Sequence, residues 1–229
     1  MEKRIAVSFS GGKDSTLALH RIIQSHDRKV DCLFTTVTEN YQRTSMHGVR
    51  ESLLEQQAQA MQIPLRKITI PSTCTNEIYE SIMGDAIQKL VDDGVTHMMF
   101  GDIHLKDVKE YRENMLSRTP IKPIFPIWGE KTDDLMDEFL NLGYKTVSTC
   151  VDSKQLDPAF VGRVIDDQFI KDLPNDVDPC GENGEFHTFV FDGPLFQKPI
   201  HFSVSDERTV RKDLFTGEDR FYYVDLRPE

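Results

Sequence analysis

A chain of 229 residues with 38% hydrophobic and 28% charged residues is long enough for one large domain, or for a main domain with a smaller appendage, and either can bury a full core. Its formal net charge of -11 excludes the broad basic footprint that a nucleic-acid backbone demands, so nucleic acid is not an expected partner. No apolar run approaches membrane-spanning length, and Met1-Glu2-Lys3-Arg4 leads into a strand-like run rather than a secretory leader, so a cytoplasmic protein with no membrane partner is expected. The four cysteines, Cys32, Cys74, Cys150 and Cys180, form no C-x-x-C pair. They read as buried reduced thiols rather than a zinc ribbon or a dithiol.

In chain order, Ile5 to Phe9 reads as a strand and Ser15 to about Ser25, with Leu17, Leu19, Ile22 and Ile23, as an amphipathic helix. Val30 to Val37 is a second strand, followed by a polar stretch, Thr38 to His47, long enough to be a functional loop. Val49 to Met61 is helical, Leu65 to Ile70 a strand ended by Pro71, and Asn76 to Asp93 a long helix stopped at Gly94. Val95 to Ile103 reads as a buried strand, Lys106 to Arg118 as helix, Ile121 to Ile127 as a proline-punctuated strand or connector, Thr132 to Leu142 as helix and Tyr144 to Val151 as strand. This alternation predicts an α/β fold with a doubly wound parallel sheet. From about Asp152 the pattern changes. Pro158 to Leu173 reads as one helix, and Phe186 to Phe191, Ile200 to Val204, Thr209 to Leu214 and Phe221 to Leu226 as short strands of a smaller, mixed α+β, largely antiparallel unit. The boundary falls between Pro126 and Asp152, since Tyr144 to Val151 fits either sheet, and the division adopted is 1–129 and 130–229.

The stretch that carries chemistry is Ser10-Gly11-Gly12-Lys13-Asp14-Ser15. Strand formers before it and a helix after it place backbone N–H groups and a helix N-terminus where an anion can sit, and the glycines let that backbone approach closely. It is not a Walker A loop, because the required first glycine position holds Val7 and Asp14 follows the lysine. Nor is it a dinucleotide fingerprint, which needs a third glycine. It resembles the Ser-x-Gly-x-Asp-Ser signature of the PP-loop ATP pyrophosphatases. That resemblance implies an adenine nucleotide alpha hydrolase-like (HUP) superfold, bound ATP and magnesium, and cleavage of ATP between the α and β phosphates. Lys13, the Ser10 and Ser15 hydroxyls and the loop N–H groups suit a departing pyrophosphate. Asp14 is assigned to capping the helix or orienting magnesium.

A second motif, Cys180-Gly181-Glu182-Asn183-Gly184-Glu185-Phe186-His187-Thr188, resembles Gly-Glu-Gly-Gly-Glu-Phe-Glu-Thr in the diphthine ammonia ligase branch of that family. Phe100-Gly101-Asp102 and Pro126-Ile127-Trp128-Gly129 resemble further elements of the branch, so the likeness covers nearly the whole chain. It implies a ligase that activates a carboxylate as an acyl-adenylate and lets ammonia displace AMP, with Glu182, Glu185 and His187 facing the acyl group and ammonia. Asn183 and His187 depart from the family's Gly and Glu, and a histidine alters the charge and working pKa of such a pocket. An Asn-Gly hairpin turn is the plain alternative for this stretch. The acceptor is accordingly diphthine or another carboxylate, on a small molecule or a protein side chain. Met1 is followed by Glu2 rather than by a glutaminase cysteine, which points to free ammonia or a separate subunit as donor.

Thr35-Thr36-Val37, ending the second strand, is read either as meeting adenine through backbone groups, as the resemblance implies, or as an ordinary strand end. The stretch Tyr41 to Arg50, with Met46-His47-Gly48, reads either as a flap over the nucleotide or as a solvated loop. Gly101 and Asp102 lie where ligands bind at carboxyl strand ends, and Asp102 is read as a magnesium or ribose contact or as a cap of the next helix. Trp128 is read as packing. Beside the ligase stand two alternatives, a related ATP pyrophosphatase acting on a different small molecule and a non-catalytic adenine nucleotide sensor. A homodimer is the candidate assembly.

Overall fold

A computed structural model describes residues 3–25, 28–39, 48–213 and 215–229, and the backbone alone at 43–44. The first part runs β1 (Lys3–Ser8), α1 (Lys13–Ile23), β2 (Arg28–Thr38), β3 (Arg43–Thr44), α2 (Glu51–Met61), β4 (Leu65–Ile70), α3 (Asn76–Asp92), β5 (His97–Met99), α4 (Lys106–Leu116) and β6 (Lys122–Ile124). Five of these strands are parallel, in the order β4-β2-β1-β5-β6, and β3 pairs antiparallel with the end of β2 beyond the β1 register. The winding reverses at β1, so the switch point, where ligands collect in such sheets, lies between the carboxyl ends of β1 and β5.

Side-chain alternation along the central strands explains why both faces must be covered. Ile5, Val7, Leu33 and Met99 belong to a cluster completed by Leu17, Leu19 and Ile22 of α1 and Leu53 and Leu54 of α2, while Ala6, Cys32, Phe34, Met98 and Phe100 join Met83, Ile87 and Leu90 of α3 and Leu116 of α4 on the other face. The fold is therefore the doubly wound α/β sheet expected.

Beyond it come α5 (Thr132–Asn141), β7 (Lys145–Asp152), a 3-10 turn (Pro158–Phe160), α6 (Asp167–Asp172), β8 (Phe186–Asp192), β9 (Phe202–Lys212) and β10 (Asp219–Pro228). The last four strands form a separate antiparallel sheet, β8-β7-β10-β9, so Tyr144 to Val151 contributes to this sheet and not to the parallel one. The first core cluster continues into it without a break through Phe139, Tyr144, Val147, Phe189 and Val224.

Three expected elements differ. The strand read as Val95 to Ile103 is only His97–Met99, because its pairing to β1 ends there and the chain turns off after the Phe100 N–H reaches the Ile124 carbonyl at 2.9 Å. Pro158 to Leu173 is not one helix. Gly162, at φ 84°, breaks it in the left-handed region, and Asp166 then caps α6 by accepting from the Gln168 and Phe169 N–H groups. The two strands read as Ile200 to Val204 and Thr209 to Leu214 are one, β9, since an edge strand tolerates the polar Ser205-Asp206-Glu207 between them. The cysteines are free, with Cys32, Cys150 and Cys180 buried and Cys74 partly exposed.

The antiparallel unit holds an ion cluster with a pH signature. Arg220 donates to both oxygens of Asp152 (3.0 and 2.7 Å) and to Asp213 (2.8 Å), which also accepts from Lys154 Nζ and from the Phe215 and Thr216 N–H groups. Burial alone would raise the Asp152 carboxyl, but the bonds from Arg220, Lys154 and Gln155 outweigh it and hold it low. At Asp213 the Thr216 N–H, then Arg220, the Phe215 N–H and Lys154, depress it further. Unfolded aspartate titrates at about 3.9, so this contribution to stability is complete above about pH 5 and is lost as pH falls through the native values. Urea midpoints measured from pH 6 to pH 2 are expected to fall steeply in the acid range, and Asp213→Asn is expected to flatten that fall.

Candidate functional site

The loop after β1 is shaped from behind by two glycines. Gly11 sits at φ 82°, and a Cβ there would lie 2.7 Å from Leu54 Cδ2 and 2.8 Å from Gln57 Oε1. Gly12 is the N-cap of α1, and its carbonyl accepts from the Thr16 N–H (3.1 Å) and from the Ser15 and Thr16 hydroxyls (3.0 and 2.9 Å). The Ser10 and Ser15 hydroxyls lie 3.2 Å apart. Asp14 therefore does not cap the helix. Its carboxylate instead accepts from its neighbour, Lys13 Nζ, at 2.7 and 2.9 Å.

Strand β8 closes the loop from the other side. The Lys13 N–H donates to Thr188 Oγ1 at 3.0 Å, the Val190 N–H donates to the Gly11 carbonyl at 3.0 Å, and Lys13 Nζ donates to the Cys180 carbonyl. Buried Gln57 of α2 ties loop to strand, its Nε2 donating to the Gly11 carbonyl (2.9 Å) and to the Val190 carbonyl (2.6 Å). Lys13 is 3% exposed. Burial disfavours its charge, but Asp14 and the further acidic groups around it prevail and hold the ammonium above the ordinary lysine range. The Cys180 thiol is pushed up to about 12 by burial and is neutral at pH 7.

Loop and C-terminal motif thus border one cavity of about 450 Å³ at the switch point. One part of its wall is polar, with Ser10, Lys13, Asp14, Ser15, Asp102, Glu182 and His187, and another is apolar, with Phe34, Tyr79, Met83, Met98, Phe100 and Met115; Thr35, Thr36 and Gly101 also line it. Gly101 brings β5 against the helix start, since a Cβ there would lie 2.8 Å from the Ser15 nitrogen. Glu182 Oε1 accepts from the Ile103 and His104 N–H groups (2.8 and 3.2 Å), latching the β5–α4 connection to the motif. Burial raises its carboxyl, partly offset by the Ile103 bond.

Of the residues expected at the site, Glu185 is displaced. It lies behind the cavity wall, 2% exposed, with Oε1 accepting from the Asp178 N–H (3.2 Å) and from Asn183 Nδ2 (2.9 Å), while Oε2 is buried with no hydrogen-bond partner among the described residues. The physical reason is Asn183, whose amide holds Glu185 inward and whose Oδ1 lies 3.4 Å from His104 Nε2. Gly11 and Gly12 support the loop without lining the cavity. Met46 and His47 lie outside the described residues, as does half of the expected flap. Asp102 does not cap α4, whose N-cap is Leu105. Trp128 is half-buried, edge-on to Phe125 and under Lys109 Nζ at 4.4 Å, away from the cavity.

The donor set suits a divalent cation held jointly with a ligand. Asp102 Oδ2 is buried without a hydrogen bond, and burial raises its carboxyl, opposed by Arg112 and reinforced by Asp14. Among the described residues no three His, Cys, Asp or Glu side chains gather as a metal cluster. Magnesium is commonly held by one or two carboxylates plus phosphate oxygens, which Asp14 and Asp102 can provide beside a bound triphosphate. Three lining or supporting residues carried no local signal in the sequence: Gln57, Tyr79 and Arg112, each a helix residue whose role depends on what the helix packs against. No helix among the described residues is long and apolar enough to cross a membrane.

Comparison with known proteins matches both parts of the chain to one family. The diphthamide synthase N-terminal domain family matches residues 3–123, and the diphthamide synthase C-terminal domain family matches residues 131–217. The bovine and human proteins named diphthine–ammonia ligase are each 27% identical over 253 aligned residues, covering 99% of this chain and 92% of theirs. The rat protein of the same name is 27% identical over 239 residues, covering 93% of this chain and 87% of its own.

Proposed function

Because the chain belongs to the diphthamide synthase family and is an ATP-dependent ligase of the diphthine–ammonia ligase type, we propose that it activates a carboxylate as an acyl-adenylate and transfers the acyl group to ammonia, releasing AMP and pyrophosphate. In this reading residues 1–129 hold ATP and residues 130–229 supply the acceptor side. The observation that carries it is the seating of β8 on the phosphate loop, with the Lys13 N–H on Thr188 and Lys13 Nζ on the Cys180 carbonyl. This seating supports a reaction in which leaving group and acceptor meet in one cavity.

The base takes the apolar wall of Phe34, Met98 and Phe100, beside the strand end at Thr36. Ser10, Ser15 and the start of α1 hold the β and γ phosphates, and Lys13 stabilises charge as the bond to the α phosphate breaks. Magnesium, held by Asp14 and Asp102, would neutralise charge at the phosphates. Glu182 and His187 border the place where the acyl group and ammonia arrive, with Glu182 also fixing the β5–α4 connection. Glu185 acts from behind through Asn183. Asn183 and His187, which depart from the family motif, favour a second reading with the same chemistry on a carboxylate other than diphthine.

The test is product analysis with ATP, magnesium, ammonium and a panel of carboxylates that includes diphthine. AMP, and pyrophosphate beyond one equivalent per enzyme, are expected only when ammonium and one carboxylate are both present. ADP and inorganic phosphate as products would sink the proposal.

A further inference from the structure

Arg112, on α4, lines the same cavity as the phosphate loop, yet no step above uses it. Its guanidinium carbon stands 5.2 Å from the centroid of the Phe100 ring, and its side chain is 26% exposed. Its Nε is 3.6 Å from Asp102 Oδ2. That is an ion pair but too long for a hydrogen bond, and both atoms are buried with no hydrogen-bond partner among the described residues. Two buried groups left this way are costly unless something else satisfies them. The other cation of the wall differs in this respect, since the Lys13 ammonium has three N–H donors and bonds both oxygens of Asp14 and the Cys180 carbonyl.

Position narrows what Arg112 can serve. Asp102 follows Gly101, which packs directly on the Ser15 nitrogen at the mouth of the phosphate loop, whereas Glu182 and His187 reach the cavity from the C-terminal motif. The cavity wall also carries three carboxylates, Asp14, Asp102 and Glu182, so a polyanion entering it needs a cation that can be redirected. A guanidinium suits this, because its planar fork binds phosphate oxygens in pairs.

The geometry points to Arg112 as an exchangeable clamp on the phosphate chain of the nucleotide: with ligand bound, its guanidinium leaves Asp102 for phosphate oxygens, and the Asp102 carboxylate is released toward the divalent cation. This rests on the reading of the cavity as an ATP site, and Arg112 is thereby a phosphate-binding residue rather than part of the acceptor side.

The experiment is calorimetric binding of two probes, inorganic pyrophosphate and adenosine, to the full chain with and without magnesium, for the parent, Arg112→Gln, Arg112→Lys and Asp102→Asn, with melting curves alongside. Arg112→Gln is expected to weaken pyrophosphate at least about tenfold while adenosine stays within about twofold, a loss of one charge-assisted pair. Arg112→Lys is expected to recover part of that loss, having the charge without the fork. Asp102→Asn is expected to tighten pyrophosphate without magnesium and to lose the gain that magnesium gives the parent. Unchanged pyrophosphate binding in Arg112→Gln overturns the clamp, as does equal weakening of both probes, which marks a structural role. Should Arg112→Gln not fold, Arg112→Lys and Asp102→Asn decide in the same way. A parent that binds neither probe overturns the ATP reading itself; a parent that binds both, with variants that do not discriminate, overturns the clamp alone.

Discussion

On the proposed reading, Lys13→Met is expected to lower the rate of AMP formation by on the order of 10² to 10³, the scale of removing one preorganised charge donor from a developing anion. Methionine fills much of the same volume, so the loss reports the ammonium rather than a cavity. Three contacts disappear with it, two to Asp14 and one to the Cys180 carbonyl. Asp14 is 31% exposed and can be hydrated in place, so the melting temperature is expected to move far less than the rate. Single-turnover measurement of AMP release, with melting curves in parallel, checks both halves. The native charge environment adds a pH signature. Burial opposes the charge, but Asp14 outweighs it and raises the ammonium above its ordinary value, so no fall in kcat/KM traceable to Lys13 is expected below about pH 10, where free lysine begins to titrate.

Gly101→Ala is expected to be nearly as damaging for a different reason. The added Cβ would lie 2.8 Å from the Ser15 nitrogen and 2.9 Å from the Asp14 carbonyl carbon and the Ser15 Cα. All three are backbone atoms, which no rotamer change can move aside. Overpacking of this kind costs about 1–3 kcal/mol, and each kcal/mol lowers the melting temperature by about 2–4 °C in a chain of this size. The clash falls on the residues that open α1 at the proposed phosphate site, so ATP affinity is expected to drop more than stability does. A substitution that left ATP binding intact would show that β5 and α1 can part without consequence for the site.

The phosphate loop was legible in the sequence because its signals are local: two glycines between strand formers and a helix, with Lys13, Asp14 and Ser15 at fixed steps. The parallel sheet was legible for a related reason, since β1, β2 and β5 read as apolar runs separated by helical periods. What failed was whatever depends on a partner far along the chain. Asp14 looks like a cap from its place in the first turn, but the Lys13 ammonium beside it claims its carboxylate. Glu185 looks like an active-site acid, but the amide of Asn183 draws it behind the wall. Gln57 and Arg112 sit among ordinary helical residues, and only their contacts outside their own helices, Gln57 with the Val190 carbonyl and Arg112 with Asp102, give them roles. Gly162 is the one neglected local signal, a glycine in the middle of a stretch read as helix.

The seating of β8 on the phosphate loop also bears on modularity. Severed from residues 130–229, residues 1–129 would present an orphaned Lys13 amide, a Gly11 carbonyl without the Val190 N–H, and an apolar flank around Leu17 and Leu19 stripped of its continuation toward Phe189. If residues 130–229 supply the acceptor side as proposed, acceptor preference is not a cassette that can be exchanged at a linker. On that reading a chimaera that imports another motif at 180–188 must import the rest of β8 with it, so that any drift in which carboxylate is amidated is mechanically tied to how tightly pyrophosphate is gripped.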